Sequence, residues 1–182
     1  LKAAAECVAD LGYSKTSTTT IANRAGVSKG GLFGRFPNKT ELMSTLVIEV
    51  EQSARARYFT PPINETSDKT LEDRARNLIE SYLEFTSSKE GRAIWAIWNE
   101  TATDIELSDA LREQMSSDIR AGDLHMAFPE CPESPSLRFL SEIFYESVDR
   151  MVFDELITDS SQREEKISYL SRLLAKEIKE LS

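Results

Sequence analysis

Between Ser28 and Pro37 two cations, Lys29 and Arg35, bracket three glycines and Phe33. If this run is one short helix, Lys29, Gly30, Gly31, Phe33, Gly34 and Arg35 fall on its outer face. Such a face can lie in a DNA major groove of about 12 Å width. That is chemistry of recognition rather than of reaction. Reaction chemistry has no matching constellation: GxSxG, HExxH, paired CxxC and phosphate-loop patterns are all missing, so neither an enzyme nor a cofactor is expected. His125, the only histidine, stands near Asp123 but makes a poor metal site alone, and no metal is expected.

The charge of the chain sharpens this. Over 182 residues the formal net charge is −9, which by itself argues against a polyanionic partner. The charge is unevenly spread. Residues 1–40 hold Lys2, Lys15, Arg24, Lys29, Arg35 and Lys39 against Glu6 and Asp10, a net of +4, and the remainder carries −13. A basic contact module on an acidic body is the pattern expected. Cys7 and Cys131 lie far apart with no apolar leader before them, which fits reduced thiols in a cytoplasm rather than a disulfide framework. Cys7 reads as a small buried hydrophobe and Cys131, in a proline loop, as exposed. The chain starts at Leu1 rather than at a methionine, as a trimmed product would. No run approaches the ~18 apolar residues of a membrane span.

The elements that must position the cations are helices throughout; the fold class expected is all-α, a three-helix head on a larger helical body. Leu1, Ala4, Ala5, Val8 and Leu11 recur at helical spacing over about 1–11, with Gly12 as the stop. Ser17 to Thr20 suit an N-cap ahead of Ile21, Ala22 and Ala25. Gly26 breaks that helix, and Ser28 caps a second short one over about 29–36. Two short helices about a glycine turn make a helix-turn-helix. Ile21, Ala22, Ala25, Val27, Leu32 and Phe36 are expected to pack on Leu1, Ala4 and Val8. A long helix from Lys39 to about Tyr58 precedes a linker at 60–69. Further helices are expected over about 71–86, 92–102, 105–121, 135–158 and 161–181.

Gly12-Tyr13, Thr16-Ser17, the run Ile21 to Gly30, Leu32-Phe33 and Phe36 to Leu42 together resemble the DNA-binding head of TetR-type transcriptional regulators. The resemblance covers about residues 1–50. It implies a helix-turn-helix DNA-binding domain over 1–45, a ligand-binding and dimerisation domain over 46–182, and a cytoplasmic homodimer. Such proteins are usually repressors, released from a near-palindromic operator by a small molecule. Carried over by position, Lys29, Gly30, Gly31, Phe33 and Arg35 become base and backbone contacts, with Arg35 suited to bidentate bonding of guanine O6 and N7. Ser17, Thr18, Thr19 and Lys39, at helix starts, become phosphate contacts, where free N–H groups and the helix dipole favour an anion. The sequence departs from the family at Gly31, Phe33, Gly34 and Thr19. Phe33 has no hydroxyl for a phosphate, and each glycine costs the helix up to ~1 kcal/mol against alanine. These departures motivate an alternative, a helical ligand-binding or interaction protein with weakened DNA binding.

In the body, Tyr82, Phe85, Trp95, Trp98, Asn99, Met115, Phe144, Tyr145 and Asp149 combine large apolar groups with a few polar anchors, as an effector cavity requires. A helical core also needs aromatic residues at these spacings, so the cavity reading leans on the resemblance. The last two helices carry wide apolar stripes, Leu137 to Leu156 and Ile167 to Leu181. These are wide enough to face both their own body and a second copy in a four-helix interface.

Overall fold

A computed structural model of the chain describes residues 1–59, 69–114, 124–157 and 162–182; all but Lys69 of the linker expected at 60–69, together with Met115 and Asp123, lies outside the described residues. The described residues are helical and contain no strand. The helices are α1 Lys2–Leu11, α2 Thr18–Ala25, α3 Lys29–Arg35, α4 Lys39–Ala54, α5 Leu71–Ser87, α6 Lys89–Glu100, α7 Ile105–Gln114, α8 Pro135–Ile157 and α9 Arg163–Leu181. A π-helical turn, Arg55–Phe59, follows α4, and a short helical stretch covers 124–127. None of the described helices is long and apolar enough to cross a membrane.

Side-chain caps explain where many of these helices begin, because the first N–H groups of a helix have no partner within it. Ser17 Oγ accepts the Thr20 N–H at 3.1 Å, Ser28 Oγ that of Gly31 at 3.0 Å, and Asn38 Oδ1 that of Glu41 at 2.7 Å. Thr70 and Asp73 exchange bonds as a capping box at α5, which holds the Asp73 carboxyl below its ordinary value. Ser88, Asp104 and Ser134 cap α6, α7 and α8. Between α2 and α3 the backbone turns at Gly26, φ +67°, a left-handed conformation that suits glycine.

Contacts gather the chain into two compact units, Leu1–Ser53 with Phe85–Ser116, and Ala54–Glu84 with Ser117–Ser182. In the first, α1 packs on α2 and α6, and the core holds Ala4, Ala5, Cys7, Val8, Tyr13, Ile21, Ala22, Leu32, Phe36, Leu42, Met43, Leu46, Val47, Ile94 and Ile97. Ala25 and Val27, expected in that core, are exposed, Val27 by 47%. The left-handed step at Gly26 turns the chain outward there, and Leu32 and Phe36 close the core instead.

The second unit packs α8 against α9 through Leu137, Phe144, Val148 and Met151 on one helix and Ile167, Leu174 and Ile178 on the other. Arg74 of α5 lies over the Phe128 ring, donates to the Ala127 carbonyl and forks onto both oxygens of Glu130. Those bonds hold the Glu130 carboxyl below its ordinary value. Cys131 is fully buried rather than exposed, because this clamp folds the proline loop inward and sets its thiol against the Ile178 carbonyl.

The expected start of α6 at Arg92 is three residues late. Gly91 masks the signal, since a glycine in a first turn reads as a break. Gly91 is there for clearance: a Cβ would sit 2.0 Å from the Phe85 carbonyl oxygen, where α5 ends against α6. Backbone cannot swing aside as a side chain can. Gly91→Ala is therefore expected to cost about 1–3 kcal/mol or more in unfolding free energy, as overpacked sites do, measured by urea denaturation.

Candidate nucleic-acid interface

The helix-turn-helix is built from three short segments with little apolar surface of their own. Ile21 and Ala22 of α2 and Leu32 of α3 are buried, and the Val27 N–H donates to the Ala22 carbonyl to close the turn. This leaves the opposite side of α3 in solvent. Lys29, Gly30, Gly31, Gly34 and Arg35 are exposed and Phe33 is 38% exposed. Lys29 Nζ lies 5.6 Å from the Phe33 ring centroid, and the Arg35 guanidinium lies equally far from that of Phe36. Both cations thus lie over aromatic rings while remaining exposed to solvent. Ser17 and Thr19 are exposed and Thr18 is half-buried; the Ser17 hydroxyl is spent on the α2 cap.

Gly30 and Gly34 stand one turn apart on this face, and a Cβ at either meets nothing within 4 Å. The protein's own packing does not require them to be glycine. Gly31 differs, since its Cβ would come within 3.2 Å of the Ser28 cap oxygen.

Lys39 sits differently from the other cations. It opens α4 and is half-buried, with Nζ donating 2.8 Å to the Tyr13 carbonyl and lying 3.7 Å from the centroid of the Tyr13 ring. Burial pulls its ammonium below the ordinary lysine value, and the Glu100 and Asp104 carboxylates oppose that. Tyr13 is itself buried and its hydroxyl donates to Asp104 Oδ2 at 3.2 Å; burial and that carboxylate push its phenol up, so it stays a donor. Next to it, Ser14 Oγ reaches both Glu100 oxygens at 3.0 and 3.1 Å. Glu100 and Asp104 carry no motif, and sequence reasoning missed them: their partners lie 86 and 91 positions away.

The expected effector residues divide between the two units. Tyr82, Phe144, Tyr145 and Asp149 come together in the second: the Tyr82 hydroxyl donates to Asp149 Oδ1 at 2.7 Å, and the Tyr145 ring meets Tyr82 at a tilt and Phe144 edge-on, at centroid distances of 5.1 and 5.4 Å. Phe85, Trp95, Trp98 and Asn99 belong to the first unit. There Trp98 Nε1 donates to Glu51 of α4 at 3.0 Å, and the Asn99 amide turns back onto the Trp95 carbonyl. His125 bonds the Cys131 carbonyl through Nδ1. Among the described residues no group of three or more histidines, cysteines or carboxylates is placed to hold a metal.

On the outer side of α8 and α9 runs an open groove of about 910 Å³, flanked by Phe139, Ile143, Tyr169 and Leu170 with Glu142, Glu146, Arg150, Glu165, Lys166 and Arg172 interleaved. Phe139, Ile143 and Tyr169 are 63, 49 and 60% exposed.

Residues 1–46, which hold the helix-turn-helix and its exposed cations, match the family model of bacterial regulatory proteins, tetR family. The whole chain shares its fold with transcriptional regulators of known structure. It aligns with Salmonella enterica GusR at a TM-score of 0.68 and 20% identity, over 98% of this chain and 92% of that one. A Bacillus subtilis regulator, FadR, solved in complex with stearoyl-CoA, aligns at 0.62 and 18% over 97% and 94%. In sequence, the chain is 27% identical over 82 residues to the nucleoid occlusion factor SlmA of Haemophilus influenzae; the match covers 45% of this chain and 36% of that protein.

A helix interior pays for glycine in backbone entropy, and at Gly34 nothing in the protein repays it. Gly34→Ala is expected to raise unfolding free energy by about 0.5–1 kcal/mol, the usual helix-interior difference, measured by thermal unfolding.

Proposed function

We propose that the chain is a DNA-binding transcriptional regulator of the TetR type, a repressor that grips a near-palindromic operator as a homodimer and is released by a small molecule. The observation that carries this reading is the helix-turn-helix with the outer face of α3 exposed, in a head of net +4 on an acidic chain. Arg35 reads a base edge, Lys29, Gly30, Gly31 and Phe33 approach the groove walls, and Ser17, Thr18, Thr19 and Lys39 meet phosphates at the starts of α2 and α4. Residues 1–45 form the DNA-binding domain and 46–182 the ligand-binding and dimerisation domain.

Selection of duplexes from a random-sequence DNA pool, followed by anisotropy titration, tests this. The expected outcome is enrichment of a two-fold symmetric site. Arg35→Ala then weakens binding to it by about 1–3 kcal/mol and relaxes the preference at one base pair of each half-site. If no duplex is enriched, the reading fails and the alternative of a ligand-binding or interaction protein takes its place.

The groove on α8 and α9 supports the homodimer. Its exposed apolar side chains would be covered, and its mixed charges offer both signs to an identical surface related by a two-fold axis. Two recognition helices held in this way stand about one turn of DNA, roughly 34 Å, apart. Ile143→Asp combined with Tyr169→Asp is expected to convert a dimer to a monomer in sedimentation at micromolar concentration; a monomeric parent protein would contradict the proposal.

The effector is proposed to meet Tyr82, Phe144, Tyr145 and Asp149, the part of the expected set that the second unit brings together. The Tyr82 to Asp149 bond beside the Tyr145 and Phe144 rings supports this, since it supplies an oriented polar anchor among aromatic side chains. To act on DNA binding, the small molecule has to bind the two states of the head with different affinity.

A further inference from the structure

We propose that the corner where α6 passes into α7 is an autoinhibitory contact on the head: Glu100 and Asp104 hold the Tyr13-Ser14 turn so that Lys39 stays folded onto Tyr13 and away from a DNA phosphate, and movement of the corner releases it. The proposal rests on the DNA-binding reading and names how that site is regulated.

Tyr13 offers Lys39 two things at once, a carbonyl acceptor at 2.8 Å and a ring face at 3.7 Å, and both depend on where Tyr13 is held. Its place is set at its far end by the hydroxyl bond to Asp104, and in the next residue by the Ser14 bonds to Glu100. Asp104 serves two elements. Oδ1 accepts the Leu107 N–H and starts α7, while Oδ2 holds Tyr13. A shift of the first turn of α7 therefore pulls on the head directly. The end of α6 is tied to α4 as well, through Trp98 and Glu51, on the helix that Lys39 begins. Glu100 and Asp104 also place negative charge near the ammonium, which lowers its attraction to a phosphate. The corner thus competes with DNA for one cation, through groups close in space and distant in sequence.

The test uses the full chain and a random-sequence DNA duplex, with the salt dependence of the binding constant as readout. Tyr13→Phe with Ser14→Ala cuts both bonds to the corner without changing the net charge. It is expected to tighten binding several-fold at low salt and to steepen the slope of log K against log salt by about 0.9 for each bound head, about 1.8 for the dimer, the value for one added phosphate contact per head. Adding Lys39→Ala is expected to abolish that gain, so Lys39→Ala costs about 0.9 more per head in the released protein than in the parent. An unchanged slope on release, or a steepening that survives Lys39→Ala, overturns the proposal. If the released variant does not fold, Glu100→Ala with Asp104→Ala removes the acceptors of the same contact and is judged by the same Lys39→Ala difference. Failure of the DNA-binding reading looks different: the parent protein then binds no duplex at low salt and Arg35→Ala has nothing to weaken.

Discussion

The burial of Tyr13 is the constraint on which the head depends. A helix-turn-helix of two short helices has too little apolar surface to hold itself, and must borrow a core from its neighbours. Here α1 supplies that core and is itself held by α6, with Tyr13 at the join. Its ring fills the space beneath Lys39, its carbonyl accepts from α4, and its hydroxyl reaches the cap of α7. A buried phenol needs a partner for its hydroxyl. Meeting that need with Asp104 commits a residue of the head to a loop 91 positions later.

Around this join, local instability is compensated by exact termini. Three glycines weaken α3, yet Ser28 fixes its start, Phe36 and Pro37 its end, and Leu32 and Phe36 its inner face. What remains is a helix defined in position and bare on its outer side. Only close approach by something outside the chain makes use of a bare side, because alanine would serve the fold better there. Gly91 is the opposite case: its missing side chain is required from inside, by the α5 backbone.

Charge follows the same division of labour. The head is basic, and the remainder carries enough acid to make the whole chain −9. An acidic body repels DNA except where the head presents its cations, which favours docking in one orientation over loose attachment. A head of only +4 attracts phosphates weakly, so in the proposed homodimer the docking of two heads together would count for more than the strength of either. The groove on α8 and α9 is a physical basis for such pairing, with apolar side chains exposed among charges of both signs.

Much of this was legible in the residues. Helical spacing and capping residues determined the all-α class and the bounds of α1 to α3 to within a residue or two, since each depends on groups three or four positions apart. The dense pattern from Gly12 to Leu42 marked the head for the same reason: its chemistry is local. Where the sequence misled, the cause was tertiary. Ala25 and Val27 look like core residues and face solvent, Cys131 looks like an exposed loop residue and is buried, and the helix expected from about Arg92 begins at Lys89. Lys39 shows the limit best. Its position at a helix start could be read from the sequence, but the direction of its ammonium was set by Tyr13, Glu100 and Asp104 across some ninety residues of chain. Local hydrogen bonding writes itself into spacing; the meeting of distant side chains does not, because any of many exposed carboxylates could have been the partner until packing chose two.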